Sequence, residues 1–399
     1  MELVDSCSLA FRTGRGRGLR LDVMPCLLCL FLSLASCVGK ADLSAPVTQE
    51  EMQAVYEQVC TPVKHGLVVC PENPAHKSDS PSVYRYNGKW YMTWIVFDGK
   101  GYETWISESD DLLQWKTLGK VMSFANDSTI REQSQASLNY AEAQPVMGAA
   151  NDSWDKMQRA GYIALQDLEW GGSYKMQKYD GKYWMSYLGG CNPGYETKPL
   201  MIGLASSKEL GKAVEWETCD APIMSPKDAS CQWFEESTHY KSCIIEDTDR
   251  LTGHRFVIYY NAAGINPENG LYAERIGMAF SDDLMTWIRY PGNPILAHEA
   301  NHTITGDPQI QKIGDLYVMF YFRAFVPGNP YQAFNSFACS RDLIHWYDWD
   351  GESLIYPSEP YDNVYAHKSY VVHWKGVTYH FYCAVNEKDE RGIAVATSK

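Results

Sequence analysis

Short apolar runs rich in Tyr, Trp, Val and Ile, separated by turn residues, recur from about residue 66 to the end of the chain. Runs of this length and make-up predict strands rather than helices. One kind repeats five times, an aromatic strand directly after a turn: KWYMTW at 89–94, KYWMSY at 182–187, RFVIYY at 255–260, DLYVMF at 315–320 and VTYHFY at 377–382. An apolar strand precedes each copy, and the joints Asn87-Gly88 and Asp180-Gly181 carry the strongest short-range hairpin signal. A second repeat, Ser-x-Asp-Leu-x-x-Trp, stands at 109–115, 281–287 and 340–346, with a stretched version at 206–216 in which Glu209 replaces Asp. Short apolar segments follow at 120–122, 221–224, 293–296 and 353–356. Each period is therefore a meander of four antiparallel strands, and five periods spaced by about 60 to 95 residues predict an all-β fold, a five-bladed β-propeller. The last period ends at Lys399 without a fourth strand, whereas 66–71 has that pattern with no blade before it, so an N-terminal strand is expected to close the last blade. A β-sandwich with chance repeats is the alternative. Residues 125–171 interrupt the series and are expected to form a loop or lid over one rim.

Ahead of the repeats, LLCLFLSLAS at 27–36 follows Arg12, Arg15, Arg17 and Arg20. At about ten residues it falls short of the ~20 that span a bilayer, and it reads as a signal-peptide core. Its end, Leu34-Ala35-Ser36-Cys37, resembles a bacterial lipobox, which implies lipidation of Cys37; an ordinary secretory signal is the alternative. The expected organisation is a leader at 1–36, a tether at 37–60 and a catalytic propeller at 61–399, lipid-anchored in the periplasm or at the cell surface, with no other contact to the membrane. The net charge of −14, from 35 basic and 49 acidic residues, argues against nucleic acid as a partner. The 27 Tyr, 13 Trp and 13 Phe suit thick sheet cores or a site that stacks rings on sugars. The cysteines show no paired CxxC, which argues against zinc; Cys60 with Cys70 and Cys219 with Cys231 are near enough to bridge, free thiols being the other state.

In a propeller the first strand of each blade lines the axis, so the residues entering those strands are the candidates for chemistry. They include Lys77 and Asp79 in blade one, Glu169 and Trp170 in blade two, Trp233, Glu235, Glu236, His239 and Lys241 in blade three, Asp307 in blade four, and His367 and Lys368 in blade five. Asp79 and His367 each stand nine residues before a hairpin glycine, which places them at equivalent axial positions. Carboxylates converging from different blades are what glycoside hydrolysis requires, one to protonate the leaving oxygen and one as base or nucleophile. Asp79, Glu236, Asp307 and Glu169 are the candidate catalytic acids; Glu235 and Glu236 are adjacent in sequence, so only one can face the channel. Asp79 before Pro81 and Asp307 in Gly-Asp-Pro also fit as turn residues. Lys77, His239, Lys241, His367 and Lys368 set cations at the mouth, suited to a uronic acid, a sulfated sugar or phosphate, unless they pair with neighbouring acids. Trp170 and Trp233 are candidates for stacking on sugar rings or for core packing.

Taken together, the Asp-x-Pro before the Asn-Gly-Lys-Trp-Tyr hairpin, the Ser-x-Asp-Leu-x-x-Trp repeats with their NPIL strand, and Ala-His-Lys-Ser-Tyr-Val-Val at 366–372 resemble the five-bladed glycoside hydrolases of families 43 and 32. The resemblance covers roughly 66–399. It implies that Asp79 acts as base or nucleophile and that His367 stands on the axis beside a water or a calcium ion; no cofactor is otherwise implied. The family's middle Asp motif and its Glu-Gly-Pro acid motif are absent, so Glu236 and Asp307 take those roles as conjecture. Three functions follow: a glycosidase acting on oligosaccharides, a glycoside phosphorylase on the same scaffold, and a glycan-binding lipoprotein without turnover.

Overall fold

The computed structural model describes residues 43–137 and 153–399. The expected leader with its lipidation site Cys37 lies outside the described residues. Helix α1 (Gln49–Val59) and strand β1 (Val63–Val69) come first, followed by five antiparallel units. Unit one holds β2 (Lys77–Tyr86), β3 (Lys89–Phe97), β4 (Tyr102–Ser109) and β5 (Lys116–Met122), and is followed by α2 (Ser128–Ser137). Unit two holds β6 (Gln158–Ile163), β7 (Tyr183–Gly190), β8 (Met201–Ser207) and β9 (Glu217–Thr218). Unit three holds β10 (Thr238–Glu246), β11 (Phe256–Ile265), β12 (Tyr272–Ser281) and β13 (Ile288–Arg289). Unit four holds β14 (Ile304–Ile313), β15 (Leu316–Ala324), β16 (Ala333–Ser340) and β17 (Tyr347–Asp348), and unit five β18 (Tyr365–Trp374), β19 (Val377–Val385) and β20 (Arg391–Thr397).

The fourth strand of unit five is β1, which pairs antiparallel with β20 from Val63 opposite Thr397 to Val69 opposite Ile393. The first strands touch one another in a cycle, β2 on β6, β6 on β10, β10 on β14, β14 on β18 and β18 on β2. In units two to four the fourth strand is broken: β9, β13 and β17 are two residues long, and beyond them single bridges join Met224 to Ile202, Leu296 to Ile276 and Ile355 to Asn335. The aromatic second strands lie in the core; Trp94, Tyr259, Tyr260 and Tyr321 are fully buried.

The repeated Ser-x-Asp-Leu-x-x-Trp is a turn built twice over by side chains. Ser109 Oγ accepts from the Leu112 amide at 2.9 Å, and Asp111 Oδ1 accepts from the Leu113 and Gln114 amides at 2.9 and 2.8 Å. The leucine sits at φ 69° with its side chain buried, and Trp115 Nε1 donates to its carbonyl. The copy at Ser281–Trp287 repeats all of these bonds. These short polar side chains satisfy amides that leave the third strand without ladder partners.

Two expectations change. The stretch 37–60, expected as a tether, carries α1 in its described part, and Met52, Val55 and Val59 are buried against unit four, among them Leu316, Val318 and Phe337. Thr48 and Glu51 close a capping box at its start. Within 125–171, α2 docks on unit one through Gln133, which accepts from the Lys120 amide at 3.1 Å and donates to the Lys120 carbonyl at 2.6 Å, and its Nε2 also reaches the Ala213 carbonyl of unit two at 2.9 Å; β6 is the first strand of unit two. The described cysteines are free thiols, Cys60, Cys70, Cys219 and Cys231 included.

Candidate active site

Four of the five first strands carry a β-bulge at the same place: between Asp79 and Ser82 in β2, His239 and Ser242 in β10, Gly306 and Gln309 in β14, and His367 and Tyr370 in β18. A bulge inserts a residue that the neighbouring strand does not match, and re-aims its side chain. Ser80, Tyr240, Asp307 and Lys368 are the residues so turned, and all four line a cavity of about 240 Å³. Ser80, Asp307 and Lys368 hold φ at 37°, 57° and 59°, an unfavourable region for residues with a Cβ. Pro81 and Pro308 follow two of them, where the disrupted ladder does not call for an amide donor. Gly306 leaves room for the Asn261 side chain, since a Cβ there would stand 2.3 Å from its Nδ2 and displace it.

The charges around this cavity are unequal. Asp79, buried one residue behind the wall, accepts from Lys368 Nζ at 2.6 Å and from the Ser80 amide at 2.9 Å, with Arg391 Nη1 at 3.9 Å. Burial alone raises a carboxyl; here the charges of Lys368 and Arg391 overturn it and hold Asp79 well below the usual carboxylate range. His367 is pushed down by burial to about 3, so it is neutral; its Nδ1 donates to the Cys383 carbonyl at 3.2 Å, which leaves Nε2 unprotonated. Asp307 accepts from Ser80 Oγ at 2.9 Å.

Two glutamates complete the set. Glu196 accepts from the Tyr102 hydroxyl at 3.2 Å and stands 4.0 Å from Lys368 Nζ, while burial raises its pKa. Glu274 accepts from Asn261 Nδ2 at 3.0 Å and has no cation bonded to it among the described residues. Burial, and then the charge of Glu196, push Glu274 up to about 7. Lys241 is buried in the wall with its Nζ over the Tyr162 ring at 5.4 Å and without a hydrogen-bond partner among the described residues; burial lowers its pKa.

Of the candidates from sequence, Asp307, Lys241, His367 and Lys368 line the cavity, and Asp79 stands directly behind it. Lys77 is nearby at the rim, paired with Asp389 and 5.5 Å from the Tyr195 ring. The others lie elsewhere. Because β6 precedes 164–182, Glu169 and Trp170 fall beyond the far end of that first strand: Glu169 is exposed, 3.5 Å from Lys312, and Trp170 stacks on His373 at 4.9 Å. Glu236 is exposed after the turn Trp233–Glu235, and its neighbour Glu235 is buried in a structural cluster with His239 at 2.8 Å and Arg289 at 2.7 Å. Trp233 packs beneath the Arg275 guanidinium. A calcium ion beside His367 would find a carboxylate already paired to Lys368, an imidazole and the Cys383 thiol, not the six to eight oxygens that calcium takes. The donor set does not fit it.

Glu196, Glu274 and Arg391 are the residues that a search confined to first-strand entries passes over. Glu196 lies in the connection from β7 to β8 and Arg391 begins β20, and in a meander the joint between second and third strands shares an end with the entry of the first. Glu274 is the third residue of β12 and pairs in register with Ile304 of the next unit.

No protein-family model matches the chain, and no curated protein matches it. Among solved structures, one of BT0996 in a complex named for RGII is 51% identical, with a TM-score of 0.81 and coverage of 89% of this chain and 96% of that one. Another, named "Glycoside hydrolase", is 50% identical with a TM-score of 0.81 and the same 89% and 96% coverage. Zg3597, a family 117 glycoside hydrolase of the marine bacterium Zobellia galactanivorans, is 14% identical with a TM-score of 0.52, covering 86% of this chain and 91% of that one, and shares the fold.

Proposed function

Since the chain belongs to the glycoside hydrolases and acts on oligosaccharides, we propose that its site is the 240 Å³ cavity, with Glu274 as proton donor and Glu196 as the ionised carboxylate. The observation that carries this is the difference between two carboxyls in one cavity. Burial raises both, Glu274 to about 7, but only Glu196 has a lysine and a tyrosine hydroxyl that pull back toward its charged form. The Glu274 proton passes to the glycosidic oxygen as the bond to the anomeric carbon breaks. Glu196 stabilises the positive charge that develops there, and either takes a proton from the attacking water or attacks the carbon itself. Asp79, locked to Lys368, holds that ammonium and the bulge around it in place. The other cations are largely neutralised by their partners; Lys241 is the ammonium left to receive a sugar hydroxyl or a carboxylate of the substrate.

The five units are read as the blades of a closed propeller, a reading supported by the cyclic contacts of the first strands and by β1 completing unit five. An RGII oligosaccharide, named with a relative that shares half its residues with this chain, is the first substrate to try. Wild-type protein should release a sugar from it, and Glu274→Gln should lower kcat by about 10²–10⁴. Turnover unchanged in Glu274→Gln would remove it as the acid.

A further inference from the structure

Glu274 belongs to two surfaces at once. Besides the cavity it lines an open groove of about 400 Å³, with Lys198, Tyr272, His302 and Phe325 along it. Tyr240, Glu274, Ile304 and Phe325 are common to both, so the groove is the outward continuation of the cavity across the carboxyl of Glu274. The two differ in charge. The cavity sets Glu196, Asp307, Lys241 and Lys368 among its rings, whereas Glu274 is the one carboxyl of the groove, which otherwise presents Tyr272 and His302 with centroids 5.8 Å apart and Lys198 Nζ 4.7 Å from the Tyr272 ring.

Phe325 is the telling residue. It is 47% exposed and sits at φ 57°, fixed by a backbone bond from its amide to the Gln332 carbonyl at 2.8 Å. A bulky side chain rarely adopts such a backbone, and an apolar ring gains nothing from water. Held there against both tendencies, the ring marks a surface that something covers. His302, also exposed, has φ 61°.

We propose that this groove binds the leaving-group saccharide of the substrate, with Phe325 and Tyr272 supplying the faces on which its ring lies. The inference rests on the proton-donor role of Glu274. A donor has to face the glycosidic oxygen, which stands between the sugar that is kept and the sugar that leaves. With that oxygen at Glu274, one sugar enters the enclosed cavity, and the remainder runs out along the groove. A cavity of about 240 Å³ lies below the roughly 300–1,000 Å³ of pockets for larger ligands, which suits a single terminal residue. The enzyme therefore trims from an end and reads what it cuts from.

The test takes two readouts on the full-length enzyme: turnover of the RGII oligosaccharide, and the Kd of the free sugar that wild type releases, which needs the cavity alone. Tyr272 lines the groove and not the cavity, so Tyr272→Ala removes a groove ring and Tyr272→Phe keeps one. Tyr272→Ala should raise KM on the oligosaccharide about tenfold with little change in kcat, leave the Kd of the free sugar within twofold, and be restored by phenylalanine. Equal losses in both readouts, or no loss on the oligosaccharide, would overturn the groove assignment. Glu274→Gln, assayed alongside, separates the two readings: if it stays active, the acid assignment fails whatever Tyr272 does.

Discussion

The carboxyl of Glu274 meets one amide, Asn261, and the charge of Glu196, in a setting that penalises ionisation. Its protonated form is the working one, so kcat/KM should fall as pH rises through about 7. On the acid side activity should fall as Glu196 takes up its proton, and a pH profile measured on the wild type and on Glu196→Gln distinguishes the two limbs. The same shift has a sign for stability. Below the ordinary glutamate range Glu274 is protonated folded or unfolded; above it the unfolded chain releases the proton more readily, so stability drains away as pH rises toward 7. Moving a glutamate to about 7 corresponds to at most about 3 kcal/mol, less to the extent that water reaches it through the cavity. Glu274→Gln should therefore be slower yet melt higher than wild type at pH 8, and a lower melting temperature would contradict this account.

At the scale of elements, what sequence makes legible is whatever is repeated. The hairpin at Asn87-Gly88, the aromatic strands and the Ser-x-Asp-Leu turns follow from local chemistry, Asp180-Gly181 makes a tight turn under the single bridge of Tyr179 to Lys182 rather than a hairpin between two strands, and the count from Gly88 and Gly376 does place Asp79 and His367 at matching ladder positions. Unit two breaks the count, because 164–182 separates its first strand from its second, and so Glu169 and Trp170 are assigned to the wrong end. Glu274 leaves no local mark: a glutamate in the third strand of a meander reads as a solvent-facing residue until the next unit is laid beside it. Helix α1, by contrast, had a visible signal in Thr48-x-x-Glu51, the capping-box spacing. The Thr48 hydroxyl accepts from the Glu51 amide at 3.2 Å and the Glu51 carboxylate from the Thr48 amide at 2.9 Å. Thr48→Ala should cost about 1 kcal/mol, read as a lower urea midpoint with unchanged turnover; no shift would mean that α1 is held by Met52, Val55 and Val59 alone.

For the molecule as a whole, the seam between β1 and β20 joins the two ends of the described chain. Lys64 of β1 fastens it, reaching the Tyr356 carbonyl at 2.7 Å and the buried Asp362 at 2.5 Å, where the Tyr382 hydroxyl also donates at 2.8 Å. Lys64→Met strands Asp362 without its cation and should cost about 3–5 kcal/mol, much of which Asp362→Asn in the same chain should return; a double-mutant cycle with no coupling would show that the seam does not depend on this pair. The order in which a ribosome makes these strands adds something further. β1 is made before all five units and β20 roughly 330 residues later, a very long-range contact by the standards that slow folding. Units one to four can take shape as they emerge, while β1 keeps an unpaired edge until β20 has been made. The strand that leads the units out of the ribosome is thus the one that waits longest for its neighbour, and its exposed edge is the one a chaperone would have most time to meet.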